Sequence, residues 1–265
     1  MSLVKKLAQG GVVALAAAIA LSGCSAASND STKTITIGTS NDAPFSYTDE
    51  AGNLVGIDGE MWNEIAKCGG WKTEVYVTDF ATLIPSLQSK KIDVIVDAMY
   101  ITDERKKAVD FSSGYYDVSQ TVITVKGSKI ANAKSIADLK GAKLGAQVGT
   151  TSYSTITDVI QPTQSPAVFD TNDVAKQALA NGQIDGLVVD LPTAFYITAV
   201  DLENGLIVGQ FPAKAGGEQF GLVLSKGSKL TKDVTAAVDA LRANGTLAKI
   251  ADAWLASTVG APVLK

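Results

Sequence analysis

Strand-like and helix-like segments alternate along this chain, and they do so in two successive series. The first runs as an apolar strand at 33–40 (KTITIGTS), a helix at 59–70 closed by glycines (GEMWNEIAKCGG), a strand at 73–78, a helix at 81–91 and a strand at 92–99 (IDVIVDAM). The second has a short helix at 135–141 ending at Gly141, a strand at 142–147, helices at 151–160 and 172–182, and a strand at 184–190. Such alternation argues for parallel α/β layers. Leu87, Ile92 and Asp93 recur as Leu179, Ile184 and Asp185 at a constant offset of 92. A generic helix-to-strand junction also produces such an echo, but joined to two full series it points to two lobes of similar construction. A strand at 218–228 follows with no crossover helix immediately before it, then two helices over 229–255 broken at Asn244-Gly245. Val234, Val238 and Leu241 keep helical spacing there. This tail has no strand of its own and has to pack on an existing lobe.

The 265 residues are 46% hydrophobic and 19% charged, a globular composition that suits one large domain or two of moderate size. Net charge is −4 and no basic run stands out, which argues against nucleic acid, since phosphate binding needs clustered Lys and Arg. The complete lack of histidine removes the commonest general base and metal ligand. No zinc-type spacing and no Walker-type glycine loop replaces it. No metal and no cofactor is expected, and binding asks less of such a chain than catalysis does.

The N-terminus reads as a targeting segment. Lys5 and Lys6 precede an apolar run of ten residues, Val12 to Leu21. That is short of the roughly 20 residues a membrane span takes, but right for a secretory leader. It ends in Leu21-Ser22-Gly23-Cys24, which resembles a bacterial lipobox with Cys24 as the lipidated residue. Residues 1–23 are then a signal peptide and 24–33 a small, polar tether. Cys68 would be left as the lone thiol, a small core residue on the helical face of Met61 and Ile65, with no intrachain disulfide available.

In parallel α/β layers, ligands meet the carboxyl ends of strands and the N-termini of the helices that follow. Four stretches lie at such junctions: TSNDAPFSY from Thr39, DAMYITDER from Asp97, QVGTTSYS from Gln147, and VVDLP ending at Pro192. Thr102 reads as an N-cap with Asp103 and Glu104 in the favoured first turn, which leaves Arg105 at the wrong end of the helix dipole. Asp190 before Pro192 reads as a cap or a ligand carboxylate, and Thr151 or Ser152 as a cap or a helix-start donor. Taken jointly, a guanidinium, helix-start N–H groups and a carboxylate are what a zwitterion requires. Phe45, Phe80, Tyr100, Tyr115 and Tyr116 fall in or beside loops and are candidates for a ligand wall, whereas Trp62 and Trp254 on helices read as core.

These blocks, with TDERKKAVDFSSGYY the most specific of them, resemble the solute-binding proteins of polar amino-acid ABC importers across essentially the whole chain after the leader. The resemblance implies an α/β, two-lobe periplasmic-binding-protein fold of type II, with lobe 1 at 34–116, lobe 2 at 117–220 and a return to lobe 1 at 221–265. Hinge strands would cross near Tyr115–Ser119 and Glu218–Leu222, and the lobes would close like a clamshell. By the same resemblance, Arg105 matches the arginine for the α-carboxylate, Asp190 the carboxylate for the α-ammonium, and Thr151 the helix-start amide. Phe80 matches the covering aromatic and Gln147 the polar strand-end residue.

The chain departs from the family pattern where side-chain selectivity is set. Tyr100 stands where many members have Ser or Thr, Asp97 and Ala98 where small residues are common, Ser40 for a frequent aspartate and Asp42 for a frequent aromatic. Asp42 and Asp97 suit a cationic ligand side chain, while Asp97 equally reads as a local hydrogen-bonding group. The implied function is an extracytoplasmic, lipid-anchored and monomeric component that delivers a polar or basic amino acid to a membrane permease. NDAPF also resembles the loop of ectoine-binding members, with Asp42 and Phe45 as the grip. Prephenate- and arogenate-type dehydratases share the fold but place an acid beside the helix-start loop, where GTTSYST offers hydroxyls. A membrane-kinase sensor is disfavoured by the absence of a spanning segment after APVLK.

Overall fold

The computed structural model describes residues 33–212, 217–255 and 261–265. The expected signal peptide (1–23), the lipidation candidate Cys24 and all of the tether but Lys33 lie outside these. The described chain divides into two units, one of 33–117 with 219–255 and one of 118–212 with 217–218 and 261–265.

The first unit is built on a five-stranded sheet. Strand β1 (Thr34–Thr39) pairs in parallel with β4 (Lys72–Val77) on one side and β5 (Val94–Ile95) on the other. Beyond β5 lie β14 (Val223–Ser225) and β6 (Val109–Phe111), with β14 antiparallel to both neighbours. Helix α1 (Ile57–Gly69) ends where Gly70 turns left-handed at φ 66°, so the sequence-expected glycine stop holds. Helix α2 (Phe80–Gln88) joins Ile92, Ile95, Met99, Val109 and Val223 in one core through Leu83 and Leu87. A hairpin of β2 (Tyr47–Thr48) and β3 (Leu54–Val55) was not legible as strand pattern. Helices α7 (Leu230–Ala243) and α8 (Thr246–Leu255) pack on α1, which places the tail helices on the first unit. Trp62 is fully buried, as expected, whereas Trp254 is only half-buried and donates its Nε1–H to Glu60 Oε1 at 2.9 Å.

The second unit repeats the plan. Strand β9 (Leu144–Gln147) lies in parallel between β10 (Ala167–Phe169) and β11 (Gly186–Asp190). Strand β8 (Gln120–Val125) runs antiparallel to β11 and to β12 (Gly205–Gln210). In both units the order is second strand, first strand, third strand, then a strand of opposite direction. The offset echo is therefore structural. Asp93 N–H donates to Thr36 O while its carboxylate accepts Thr36 N–H, and Asp185 does the same with Lys143. Leu87 and Leu179 fill the matching cores above them.

Two expectations need correction. The last residues, expected to return to lobe 1, belong to the second unit: Leu264 is buried in its core, Gln210 N–H donates to Pro262 O, and Ile136 N–H donates to Lys265 O. Cys68 is disulfide-bonded rather than a lone thiol, with its partner outside the described residues. Among the described residues no helix is long and apolar enough to cross a membrane. The chain leaves the first unit after β7 (Tyr116–Asp117) and re-enters it at β13 (Gln219–Phe220), and these two strands pair antiparallel.

Candidate functional site

On the first unit, the loops after β1 and β5 carry most of the sequence candidates. Helix α3 (Asp103–Ala108) opens as expected: the Thr102 hydroxyl accepts Arg105 N–H at 3.2 Å. The Arg105 side chain turns back, donating from Nη1 to Tyr100 O at 2.9 Å, with Cζ 5.6 Å from the centre of the Phe80 ring. Phe80 starts α2 and is half-buried, so its exposed face and the guanidinium stack as a cation on a ring. Burial pushes the guanidinium down to about 10, with Tyr100 opposing that shift, and it stays charged at neutral pH.

Tyr100 takes part differently than expected. It is 5% exposed, its ring meets Phe220 edge-on at 4.9 Å, and its contribution to Arg105 comes from the main-chain carbonyl. Phe45 is 0% exposed and lies edge-on to Phe220 at 5.0 Å and to Tyr116 at 5.8 Å. It is core, with no surface to offer a ligand, because Phe220 arrives from far along the chain and closes an aromatic cluster over both loops.

Asp97 resolves in favour of its local reading. At 3% exposure, its carboxylate accepts from Thr39 Oγ1 (3.0 Å), Ser40 N (2.9 Å), Ser40 Oγ (2.6 Å) and Ser46 Oγ (2.6 Å). Burial raises its pKa and these hydrogen bonds oppose the rise. The group ties the first loop to the third strand and is not a free acid for a ligand cation. Ser40 is thereby placed at the loop mouth, half-buried, and Asp42 follows it, its carbonyl accepting from Phe45 and Ser46 N–H. Ala98 is half-buried amid buried neighbours and has a left-handed backbone, φ 44°.

Sequence reasoning missed Asp58. It is 0% exposed on the first turn of α1, and its Oδ2 accepts from Ala98 N–H at 2.7 Å and from the Tyr115 hydroxyl at 2.8 Å. An acid at the opening of an otherwise apolar helix face was the available signal.

On the second unit the helix start after β9 is capped by Thr150, one residue before the sequence candidates. Its hydroxyl accepts Tyr153 N–H at 3.2 Å and donates to Gln147 O at 2.7 Å. Gly149, at φ 75°, makes the turn that the sequence assigned to it. Thr151 opens α4 (Thr151–Ser154), and its hydroxyl accepts from Gln120 Nε2 at 3.2 Å. Gln147 is buried and donates from Nε2 to Asp170 O at 3.0 Å, so it braces the strand end. Asp190 both ends β11 and caps α6 (Leu191–Tyr196), its Oδ1 accepting Thr193 N–H at 3.1 Å. Burial pushes its carboxyl up to about 6 against that cap bond. Arg105 and Asp190 are thus a half-buried cation and a half-buried acid, each held by groups of its own unit.

Two α/β units of matching strand order, each with charged or polar side chains at strand ends, define a two-lobe binding protein. Residues 35–257 match the model of the bacterial extracellular solute-binding proteins, family 3, and the chain belongs to that family. Its fold is the type II periplasmic-binding-protein fold. It is 31% identical to an arginine-binding extracellular protein of Bacillus subtilis, covering 92% of this chain and 95% of the relative. It is 36% identical to a probable histidine-binding protein of Campylobacter jejuni, covering 78% of each. The crystal structure of an ancestral arginine-binding protein bound to arginine is similar at a TM-score of 0.74 and 36% identity, covering 83% of this chain and 97% of that one.

Proposed function

We propose that this chain is the extracytoplasmic solute-capturing component of an ABC importer and that its ligand is an amino acid with a polar or basic side chain. The observation that carries this reading is one fixed charged group at a strand-end loop of each unit. Arg105, held by Tyr100 O and Phe80, suits an α-carboxylate, and Asp190 at a strand end suits an α-ammonium. The names of the arginine- and histidine-binding relatives support a basic ligand, and L-arginine is the first candidate. Asp42, in the first loop, is the acid we assign to a cationic ligand side chain. The ectoine-like reading loses its aromatic, since Phe45 is buried. No acid stands in the Thr150–Ser152 stretch, so we propose binding without turnover.

Calorimetry with L-arginine, L-lysine, L-histidine, L-glutamine and ectoine tests the ligand. Binding of L-arginine or another basic amino acid in preference to ectoine is the expected result; binding of ectoine alone refutes it. We propose further that the mature chain is a monomer and a partner of permease subunits, and that it is anchored by lipid on Cys24 once processing has released the disulfide at Cys68. Mass spectrometry of membrane-derived protein should show a diacylglyceryl thioether on Cys24. A lipid-free chain with Cys24 paired to Cys68 refutes the anchor.

A further inference from the structure

Asp58 touches the loops after β1 and β5 of the first unit, both from one helix. Its backbone N–H donates to Phe45 O at 2.8 Å, while the preceding Ile57 N–H donates to Pro44 O at 3.0 Å. The first N–H groups of α1, which have no partner within a helix, are therefore spent on the first loop. The approach is close enough that a Cβ on Gly56 would stand 2.3 Å from Phe45 O, and Gly56 itself has φ 97°. From the same residue the buried carboxylate reaches across to the third loop, where Oδ2 accepts Ala98 N–H at 2.7 Å.

Ala98 is the residue in that loop that needs holding. A left-handed backbone at a non-glycine residue costs on the order of 1–2 kcal/mol and persists only where its surroundings over-determine it. The residues on either side are fixed by other means. Asp97 is bound through its carboxylate to Thr39, Ser40 and Ser46, and Met99 O accepts Gly221 N–H at 3.0 Å. Between these anchors, Asp58 supplies the bond at the strained residue. Tyr115 then steadies Asp58, its hydroxyl donating to the same Oδ2 at 2.8 Å.

We propose that Asp58 is a positioning residue for ligand binding: it locks the first loop to Ala98, holds the strained backbone there, and does so without touching the ligand. The affinity arm of its test rests on the amino-acid binding proposed above. The structural arm does not.

Amide hydrogen exchange on the ligand-free protein and calorimetry with L-arginine are to be compared for wild type, Asp58→Asn, Tyr115→Phe and Asp58→Asn with Ala98→Gly. Loss of a charge-assisted bond should speed exchange of the Ala98 amide about tenfold or more in Asp58→Asn and weaken L-arginine by about tenfold or more. Tyr115→Phe should move both in the same direction by a smaller factor, and it remains informative where Asp58→Asn does not fold. Glycine accepts the left-handed backbone without strain, so the added Ala98→Gly change should recover part of the affinity lost in Asp58→Asn. A general structural defect would not be relieved in this way. Unchanged Ala98 exchange in the single variants, or no recovery in the double variant, overturns the proposal. Wild-type protein that fails to bind any of the amino acids tested refutes the proposed function instead, and the exchange arm still judges the anchor.

Discussion

Lowering the pH from 7 to 5 should weaken amino-acid binding about tenfold, and the reason lies at one carboxyl. Asp190 is pushed up to about 6, with burial the leading cause and the Thr193 N–H bond opposing it. In the binding we propose, the ionised carboxylate holds the ligand's ammonium, so a proton on Asp190 would compete with the ligand. With a pKa of about 6 the group is about nine-tenths ionised at pH 7 and about one-tenth ionised at pH 5, a factor of about 10 or ~1.4 kcal/mol. Stability of the empty protein moves the other way. A carboxyl whose folded pKa is raised above its ordinary value binds more protons folded than unfolded, so its contribution to stability falls as pH rises from about 4 through about 6. Calorimetry at pH 7, 6 and 5 measures the first effect and thermal melting of ligand-free protein the second. No histidine exists in the chain to confuse the window. Glu60 and Asp97 are also raised by burial, and Asp190→Asn separates them from the effect. An affinity that stays flat in the wild type, or that keeps the same slope in Asp190→Asn, refutes the assignment.

Arg105→Ala should weaken L-arginine by at least about 100-fold in calorimetry while leaving circular dichroism unchanged, since the cap at Thr102 uses only the backbone of residue 105. Arg105→Lys should recover little of that loss, because an ammonium lacks the planar fork. Asp97→Ala should lower stability in urea unfolding by about 2–4 kcal/mol, as it removes the acceptor of four hydrogen bonds from Thr39, Ser40 and Ser46 and leaves the Ser46 hydroxyl only that of Thr39. Thr150→Ala removes one helix cap and should cost about 1 kcal/mol, read as a fall of a few degrees in the melting temperature.

What could be read from the sequence depended on how local each determinant is. The strand and helix series, the Thr102 cap, the glycine stops and the dual place of Asp190 before Pro192 are set by residues within a few positions of one another. The echo of Asp93 and Asp185 was legible because the same junction, with the same two-way bond to the first strand, is built twice. What was not legible in each case involves a distant partner. Phe45 and Tyr100 are buried against Phe220, and hydroxyls at 39, 40 and 46 decide Asp97 for the local one of its two readings. The final residues join the second unit through a bridge between Gln210 and Val263 that no local pattern announces. Thr150 rather than Thr151 caps its helix, a choice among adjacent hydroxyls that depends on where Gly149 turns.

The position of Arg105 makes sense, on the proposed function, as a charge kept for the ligand. A cation in the first turn of a helix opposes the dipole at a cost of a few tenths of a kcal/mol, and its desolvation costs more. Asp190 bears a similar cost, a half-buried carboxyl at a strand end whose pKa burial raises. Both are present before any ligand arrives, offset locally by Tyr100 O, the Phe80 ring and the Thr193 N–H. In the binding we propose, a zwitterion would relieve both costs, and a molecule with one of the two charges only one of them. The amine that remains when arginine loses its carboxyl should therefore bind wild type about as poorly as L-arginine binds Arg105→Ala. On the Arg105→Ala protein itself, removing the ligand's carboxyl should cause little further loss. Independent, additive losses in that cycle would show that the guanidinium and the carboxylate do not meet.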